Sequence, residues 1–392
     1  MNNQYSPNYT AVQIALSTNC NLLCPGCQRT AWDSPRKLNP LITKNIFLDK
    51  QILLDVIQNK ASNSLEKIEF VGLIDDALTY PWLLELLQEM LNVRPDLNIE
   101  FDTNASLRTP DYFKKLANIL NKFPKHFVNF SVDGLEDTNH IYRVGANWKK
   151  IMGNAEAFIQ AGGRANWQFI VFPWNAHQEK KIKKLAKTMG FDNIVVRHNQ
   201  DLSLNTPQMA KDKPWLKESK TNEKYVGTSF KVFDTILKKD KYFPPYNIDC
   251  LWHGDQKIYI SYTGNVWPCC FIAYDPLRRP ELLNARFSSH GENFNSLYHH
   301  TIDEIMSKEP FSSDILNSIN NNKKHGIGQS DTYYTCIRSC STRGFEEIPS
   351  HHTHKATNYS HKQWMQLLLI IESWNGKPWT RKLLTKLKKY LK

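Results

Sequence analysis

Apolar residues recur along the first half of the chain at two alternating periods. Residues 11–19, AVQIALSTN, form the dense apolar run of a short strand. Residues 51–60 then place apolar side chains three and four positions apart, as a helix buried along one face does. The alternation continues, with strands over 67–73, 97–104, 126–134, 166–175 and 193–198 and helices over 80–91, 110–123, 149–162 and 178–190. Six strands separated by helices predict a parallel α/β sheet with right-handed crossovers. Residues 201–245 are rich in Lys, Asn and Pro with weak periodicity, and read as an inter-domain linker. Residues 257–268, KIYISYTGNVWP, alternate around a Thr-Gly-Asn turn and predict a β-hairpin.

Length and charge add limits. A chain of 392 residues exceeds what one hydrophobic core usually serves, so two domains are expected. There is no apolar run of about 18 residues, hence no membrane span. The first ten residues, MNNQYSPNYT, lack the charged-then-apolar pattern of a signal peptide, which points to the cytoplasm. The formal charge is +12, but seven of the Lys and Arg residues fall in the last sixteen positions, leaving +5 for the body. Nucleic acid is therefore possible but not favoured. In that tail Trp379, Leu383, Leu384, Leu387 and Leu391 recur at helical spacing. It reads as a basic amphipathic helix, either docked on the body or meeting an anionic partner.

The eight cysteines change the picture most. They stand at 20, 24 and 27, then at 250, 269, 270, 336 and 340. In a reducing compartment, clustered thiols favour metal over disulfides. Cys20, Cys24 and Cys27 are spaced C-x3-C-x2-C in the loop after the first strand. Three thiolates do not close a tetrahedron around zinc. They can hold three irons of a [4Fe–4S] cube and leave the fourth open, and an open position marks a working metal site.

This spacing resembles the signature of the radical S-adenosylmethionine (radical SAM) enzymes. The resemblance implies a partial (β/α)6 TIM-like barrel over residues 1–200, with S-adenosylmethionine bound to the open iron. It implies reductive cleavage of that cofactor to a 5′-deoxyadenosyl radical, which takes hydrogen from a substrate. One departure is Gly26, where the family often has an aromatic residue. Further candidates lie at successive strand ends. In GLIDDAL, Asp76 matches the family's acid for the cofactor ammonium, although Asp75 and Ala77 replace the usual Gly and Pro. The alternative for Asp76 is a loop acid capping the helix near Pro81. Asn104 lies in DTNA, similar to the family's Thr-Asn-Gly turn, and Ser131 and Asp133 in SVDG match ribose or pocket positions. Arg143 resembles an arginine that pairs with the cofactor carboxylate through a bidentate fork. Asn175 and Arg197 end strands five and six at the barrel mouth.

The later cysteines surround the hairpin, and Gly264 with Cys269 forms G-x4-C, resembling the twitch/SPASM auxiliary-cluster domains. Residues 246–350 are thus expected to form a small α+β domain, followed by the basic tail at 351–392. Cys250, Cys269, Cys336 and Cys340 are the expected ligands of one auxiliary [4Fe–4S] cluster, with Cys270 spare. Structural zinc at the same thiols is the alternative. The histidines at 299 and 300, and those at 351, 352 and 354, read as surface residues. The resemblance implies an oxidoreductase acting on a peptide or protein side chain, reduced by a donor such as flavodoxin or ferredoxin. A small molecule or nucleotide, including RNA, is the alternative substrate within that chemistry. A zinc-stabilised, non-catalytic binding protein is the alternative outside it.

Overall fold

The computed structural model of the chain describes residues 9–30, 37–59, 64–198, 246–248, 250–274, 287, 290–314, 336 and 341–343. The expected linker, the basic tail, His351, His352, His354 and Cys340 lie outside them. Six strands, β1 (Ala11–Ile14), β2 (Lys67–Val71), β3 (Asn98–Thr103), β4 (His126–Ser131), β5 (Ala165–Val171) and β6 (Asn193–His198), pair in parallel in sequence order. The intervening helices are α1 (Lys50–Gln58), α2 (Leu83–Val93), α3 (Pro110–Leu120), a short turn at Asn139–Tyr142 that we number α4, α5 (Trp148–Gln160) and α6 (Glu179–Met189). Local chemistry sets their ends. Asp49 accepts from Gln51 N to start α1, and Thr109 caps α3 just before Pro110. Gly190 ends α6 at φ +87°, a backbone that suits glycine.

The two faces of the sheet differ in kind. Phe70, Phe101, Phe130, Trp167 and Phe169 are fully buried on the helix side. There Phe70 stacks on Phe101 at 4.6 Å, and Phe130 meets Phe113 of α3 and Phe158 of α5 at 5.9 Å. Each such ring stabilises the fold by roughly 1.5–3 kcal/mol through burial. The alternate positions on the same strands carry Glu69, Glu100, Asp102, Asn129, Asn166 and Gln168. Asn129 Nδ2 donates to Glu100 at 2.9 Å and to Asp102 at 2.7 Å, and Asn166 donates to Asn129 at 3.0 Å. A strand side chain points to one face or the other by turns, so one face builds the core and the other a polar concavity.

The hairpin forms as expected, with β8 (Lys257–Ile260) antiparallel to β9 (Val266–Trp267) and Gly264 at φ +71°. Its position adds a feature absent from the sequence reading. β8 pairs in parallel with β1, extending the main sheet to the order β6-β5-β4-β3-β2-β1-β8-β9. Lys257 reaches Glu69 at 2.9 Å and ties the added strand to β2 across β1. The chain divides into two compact units, one of Met1–Lys239 with Trp252–Leu316, the other of Asp240–Leu251 with Asn317–Lys392. In the second unit β7 (Tyr246–Ile248) pairs antiparallel with β10 (Ser341–Arg343). Among the described residues no helix is long and apolar enough to cross a membrane.

Candidate metal centre and cofactor cavity

The chain leaves β1 into the cysteine loop, and short bonds hold that loop in place. Asp75 Oδ2 accepts from Leu16 N and Ser17 N, both at 3.1 Å, fixing the end of the strand. Thr18 N donates to Ile46 O and Leu48 N to Leu16 O, so residues 46–48 lie alongside. Cys27 N donates to Cys24 O at 3.2 Å across Pro25 and Gly26, with Gly26 at φ +79°. This is the backbone of a type II turn, in which glycine takes the third position. The departure at Gly26 therefore has a local cause in the turn. Thr30 Oγ1 donates to Cys24 O at 2.8 Å, and Leu23 N donates to Val144 O at 3.1 Å, beside Arg143.

Cys20, Cys24 and Cys27 line one cavity of about 230 Å³, together with Asp76, Asn104, Ser131 and Arg143. Residues drawn from the ends of four strands thus meet at the mouth of the sheet. Among the described residues no three His, Cys, Asp or Glu side chains close on a single metal ion. A cube in which each thiolate takes its own iron asks for something else, namely three thiols around one void. The donor set and the cavity fit such a cluster. Burial pushes the Cys24 thiol up to about 12, partly opposed by Arg143, and burial followed by the Asp76 charge raises Cys20 as well. Metal has to displace these protons.

Asp76 is saturated by protein donors. It accepts from Leu78 N at 3.0 Å, Thr103 Oγ1 at 3.0 Å, Asn104 N at 2.8 Å and Asn104 Nδ2 at 2.6 Å. It caps the 3-10 turn Ala77–Thr79 and fastens the end of β3. It does not cap the helix after Pro81, which starts at Leu83 with Trp82 at its N-cap. Asn104 also donates to Asn21 Oδ1 at 3.0 Å and approaches the Cys20 sulfur at 3.6 Å. Arg143 Nε pairs with the fully buried Asp133 at 2.6 Å. Burial works against the guanidinium charge, but Asp133 and Cys24 more than offset it, so its pKa is raised. Asn175 is buried away from the cavity lining, its amide donating to the carbonyls of Asp133 and Ile170 at 2.9 Å. Arg197 is exposed on β6 and also does not line the cavity.

Four residues of the site went unread in the sequence. Arg29, only 5% exposed, donates to the carbonyls of Thr18 and Ile74 beneath the cysteine loop. Asp75 anchors β1, and burial raises its carboxyl to about 7. Asp102 lines the cavity from the polar face of the sheet, its carboxyl raised by burial to about 6. Tyr142 lines it beside Arg143. Asp102 was open to discovery, because it alternates with the core residues Phe101 and Thr103 on β3. The other three depend on loop geometry that no periodicity encodes. Of the later thiols, Cys269, Cys270 and Cys336 are buried and Cys250 is half-buried. Cys269 caps the short helix Cys270–Ala273 by accepting from Ile272 N at 3.5 Å. His299 is exposed and His300 half-buried, with His299 Nδ1 3.2 Å from Ser296 Oγ.

Comparisons with known proteins agree with this geometry. The family model of the radical SAM superfamily matches residues 14–175, and that of the SPASM iron–sulfur cluster-binding domain matches residues 250–341. No curated protein matches the chain in sequence. Among solved structures, Streptococcus suis SuiB bound to S-adenosylmethionine aligns over 79% of this chain and 68% of its own, with 13% identity and a TM-score of 0.50. Native anSMEcpe with bound AdoMet aligns over 96% of this chain and 99% of its own, with 14% identity and a TM-score of 0.51. Its complex with AdoMet and the Cp18Cys peptide aligns over the same shares, with 14% identity and a TM-score of 0.50. At these identities the likeness concerns the fold; the two family matches carry the [4Fe–4S] chemistry. The chain is an S-adenosylmethionine-dependent enzyme of the radical SAM superfamily, with a C-terminal SPASM-type iron–sulfur domain.

Proposed function

We propose that this chain is a radical SAM oxidoreductase acting on a peptide or protein side chain. When bound at Cys20, Cys24 and Cys27, the cluster supplies one electron that splits S-adenosylmethionine into methionine and a 5′-deoxyadenosyl radical. The protein's part is to bind, orient and exclude water. The observation that supports this most is the single cavity shared by the three thiols, Asn104, Ser131 and Arg143. In this reading Arg143, held by Asp133, orients the cofactor carboxylate. Asp76 and Asn104 hold the floor of the site next to Cys20, and Ser131 faces the ribose. Asn175 and Arg197 then act outside the cavity, Asn175 by closing the loop after β5. The SPASM match spans Cys250, Cys269, Cys336 and Cys340, which supports an auxiliary [4Fe–4S] cluster held by those thiols. Oxygen-labile clusters suit a reducing, cytoplasmic setting.

The peptide substrate is supported by anSMEcpe, a fold neighbour solved with a bound peptide. The test is isotopic. Anaerobically reconstituted enzyme, S-adenosylmethionine and dithionite are incubated with side-chain-deuterated peptides and, separately, with deuterated nucleosides and sugars. 5′-Deoxyadenosine gaining deuterium from the peptides supports the reading. Deuterium arriving only from the small molecules overturns the substrate class.

A further inference from the structure

A ladder of amides on the polar face of the sheet ends at one carboxylate. Asp102, Asn129, Asn166 and Asn193 stand in register across β3, β4, β5 and β6. Their side chains donate in one direction. Asn193 Nδ2 donates to Asn166 Oδ1 at 3.4 Å, Asn166 Nδ2 to Asn129 Oδ1 at 3.0 Å, and Asn129 Nδ2 to Asp102 Oδ1 at 2.7 Å. Gln168 Nε2 donates to the same Asp102 oxygen at 3.3 Å. Hydrogen bonds in series reinforce one another, and here each asparagine turns its N–H toward Asp102. The ladder therefore fixes this carboxylate and favours its charged form, while burial pulls the other way and raises it to about 6.

One oxygen of Asp102 remains to be used. Both bonds fall on Oδ1, and Oδ2 accepts none from the described residues. Asp102 is half-buried and lines the cavity that holds the three thiols. The cations of this face are committed elsewhere. Lys67 and Lys257 both pair with Glu69, and Lys67 also reaches Glu100 at 3.7 Å. Arg143 pairs with Asp133. Arg197 lowers the Asp102 pKa through its charge but makes no ion pair with it. A half-buried carboxylate without a cation costs stability, so its place at a cavity wall asks for a ligand that brings one. An ammonium or guanidinium group needs a single carboxylate. A metal ion needs several anionic ligands, and among the described residues no three His, Cys, Asp or Glu side chains could hold one.

We propose that Asp102 determines specificity, its free oxygen binding a lysine or arginine side chain of the peptide substrate. This rests on the peptide reading above and narrows it to a peptide that carries a basic residue into the cavity. The amide ladder acts through Asp102, holding the carboxylate in place before the substrate arrives, so little ordering is left to binding.

The probes are four pools of blocked pentapeptides with uncharged random flanks and a fixed central residue: Lys, Arg, norleucine or Glu. Each is dialysed to equilibrium against anaerobically reconstituted enzyme with S-adenosylmethionine. The proteins are wild type, Asp102→Asn, and Asp111→Asn as a control of equal charge change on exposed α3. Wild type and Asp111→Asn hold the Lys and Arg pools at least about tenfold more tightly than the norleucine pool. Asp102→Asn loses that preference and keeps its norleucine affinity, whereas a merely structural role would weaken all pools alike. Should Asp102→Asn fail to fold, the wild-type preference for Lys over norleucine, and its loss by about 0.5 M salt, carries the test. Equal wild-type affinity for the Lys and norleucine pools, no binding of any pool, or a preference that survives Asp102→Asn would overturn the proposal. So would weakened S-adenosylmethionine binding in Asp102→Asn with the pool preference intact, which would give Asp102 to the cofactor. Wild type taking deuterium only from nucleosides or sugars in the isotopic test counts against the peptide reading itself. Deuterium taken from peptides regardless of their charge counts against Asp102 alone.

Discussion

Arg143 is gripped by Asp133 on one side and reaches the Cys24 thiol on the other. Breaking a buried ion pair by removing one partner typically costs about 3–5 kcal/mol, because the other charge stays buried alone. Arg143→Met should therefore lower the denaturation midpoint strongly and weaken S-adenosylmethionine binding, both measurable on anaerobic protein. An unchanged midpoint would mean that Asp133 finds another partner. His126, far from the cysteines at the start of β4, accepts from Arg164 N at 3.0 Å. Burial, then the nearby Arg164 charge, depress its pKa below the ordinary value. Above the unfolded pKa of about 6.5 both states are neutral; as pH falls below it the unfolded chain takes the proton first, and stability drops. Urea titrations between about pH 7.5 and 5 should show this loss in wild type and less of it in His126→Gln. Equal pH slopes for the two would contradict it. At this scale the sequence pointed to the three thiols, Asn104, Ser131 and Arg143, which line one cavity, but gave no role to Arg29 or Asp75, whose partners are backbone groups of distant loops.

Between strands and helices, tight turns place the site. An added Cβ at Gly72 would lie 1.8 Å from the Asp75 carbonyl oxygen, a backbone atom that cannot swing away. Gly72→Ala should displace the 72–76 loop, release both Asp75 from β1 and Asp76 from β3, and lower iron retention together with thermal stability. Wild-type iron content and melting temperature in that variant would show that the loop tolerates the shift. Gly26→Ala is milder, since alanine at positive φ costs roughly 1–2 kcal/mol. The six parallel strands β1 to β6 were legible from their apolar periods, and so was the hairpin at β8 and β9. The parallel pairing of β8 with β1 was not, because a strand's own alternation says nothing about which partner it takes across two hundred residues. Asp76 shows the same limit. Its place after β2 could be read, but its four donors come from a turn and a strand end that only the fold brings together.

Over the whole molecule, one side of the sheet is closed by aromatic packing and the other is lined with hydrogen-bonded polar groups. A packed core does not need the second side; a site for a charged cofactor does. The cysteine loop stands at the mouth of that concavity, and the matched SPASM segment follows in the same chain. The most direct test is iron content and cofactor cleavage in oxygen-free preparations of wild type and Cys24→Ala. Wild type should bind about eight irons per chain and release 5′-deoxyadenosine on reduction, while Cys24→Ala should lose about four irons and all release. Undiminished iron and undiminished nucleoside release in Cys24→Ala would contradict a cluster at Cys20, Cys24 and Cys27.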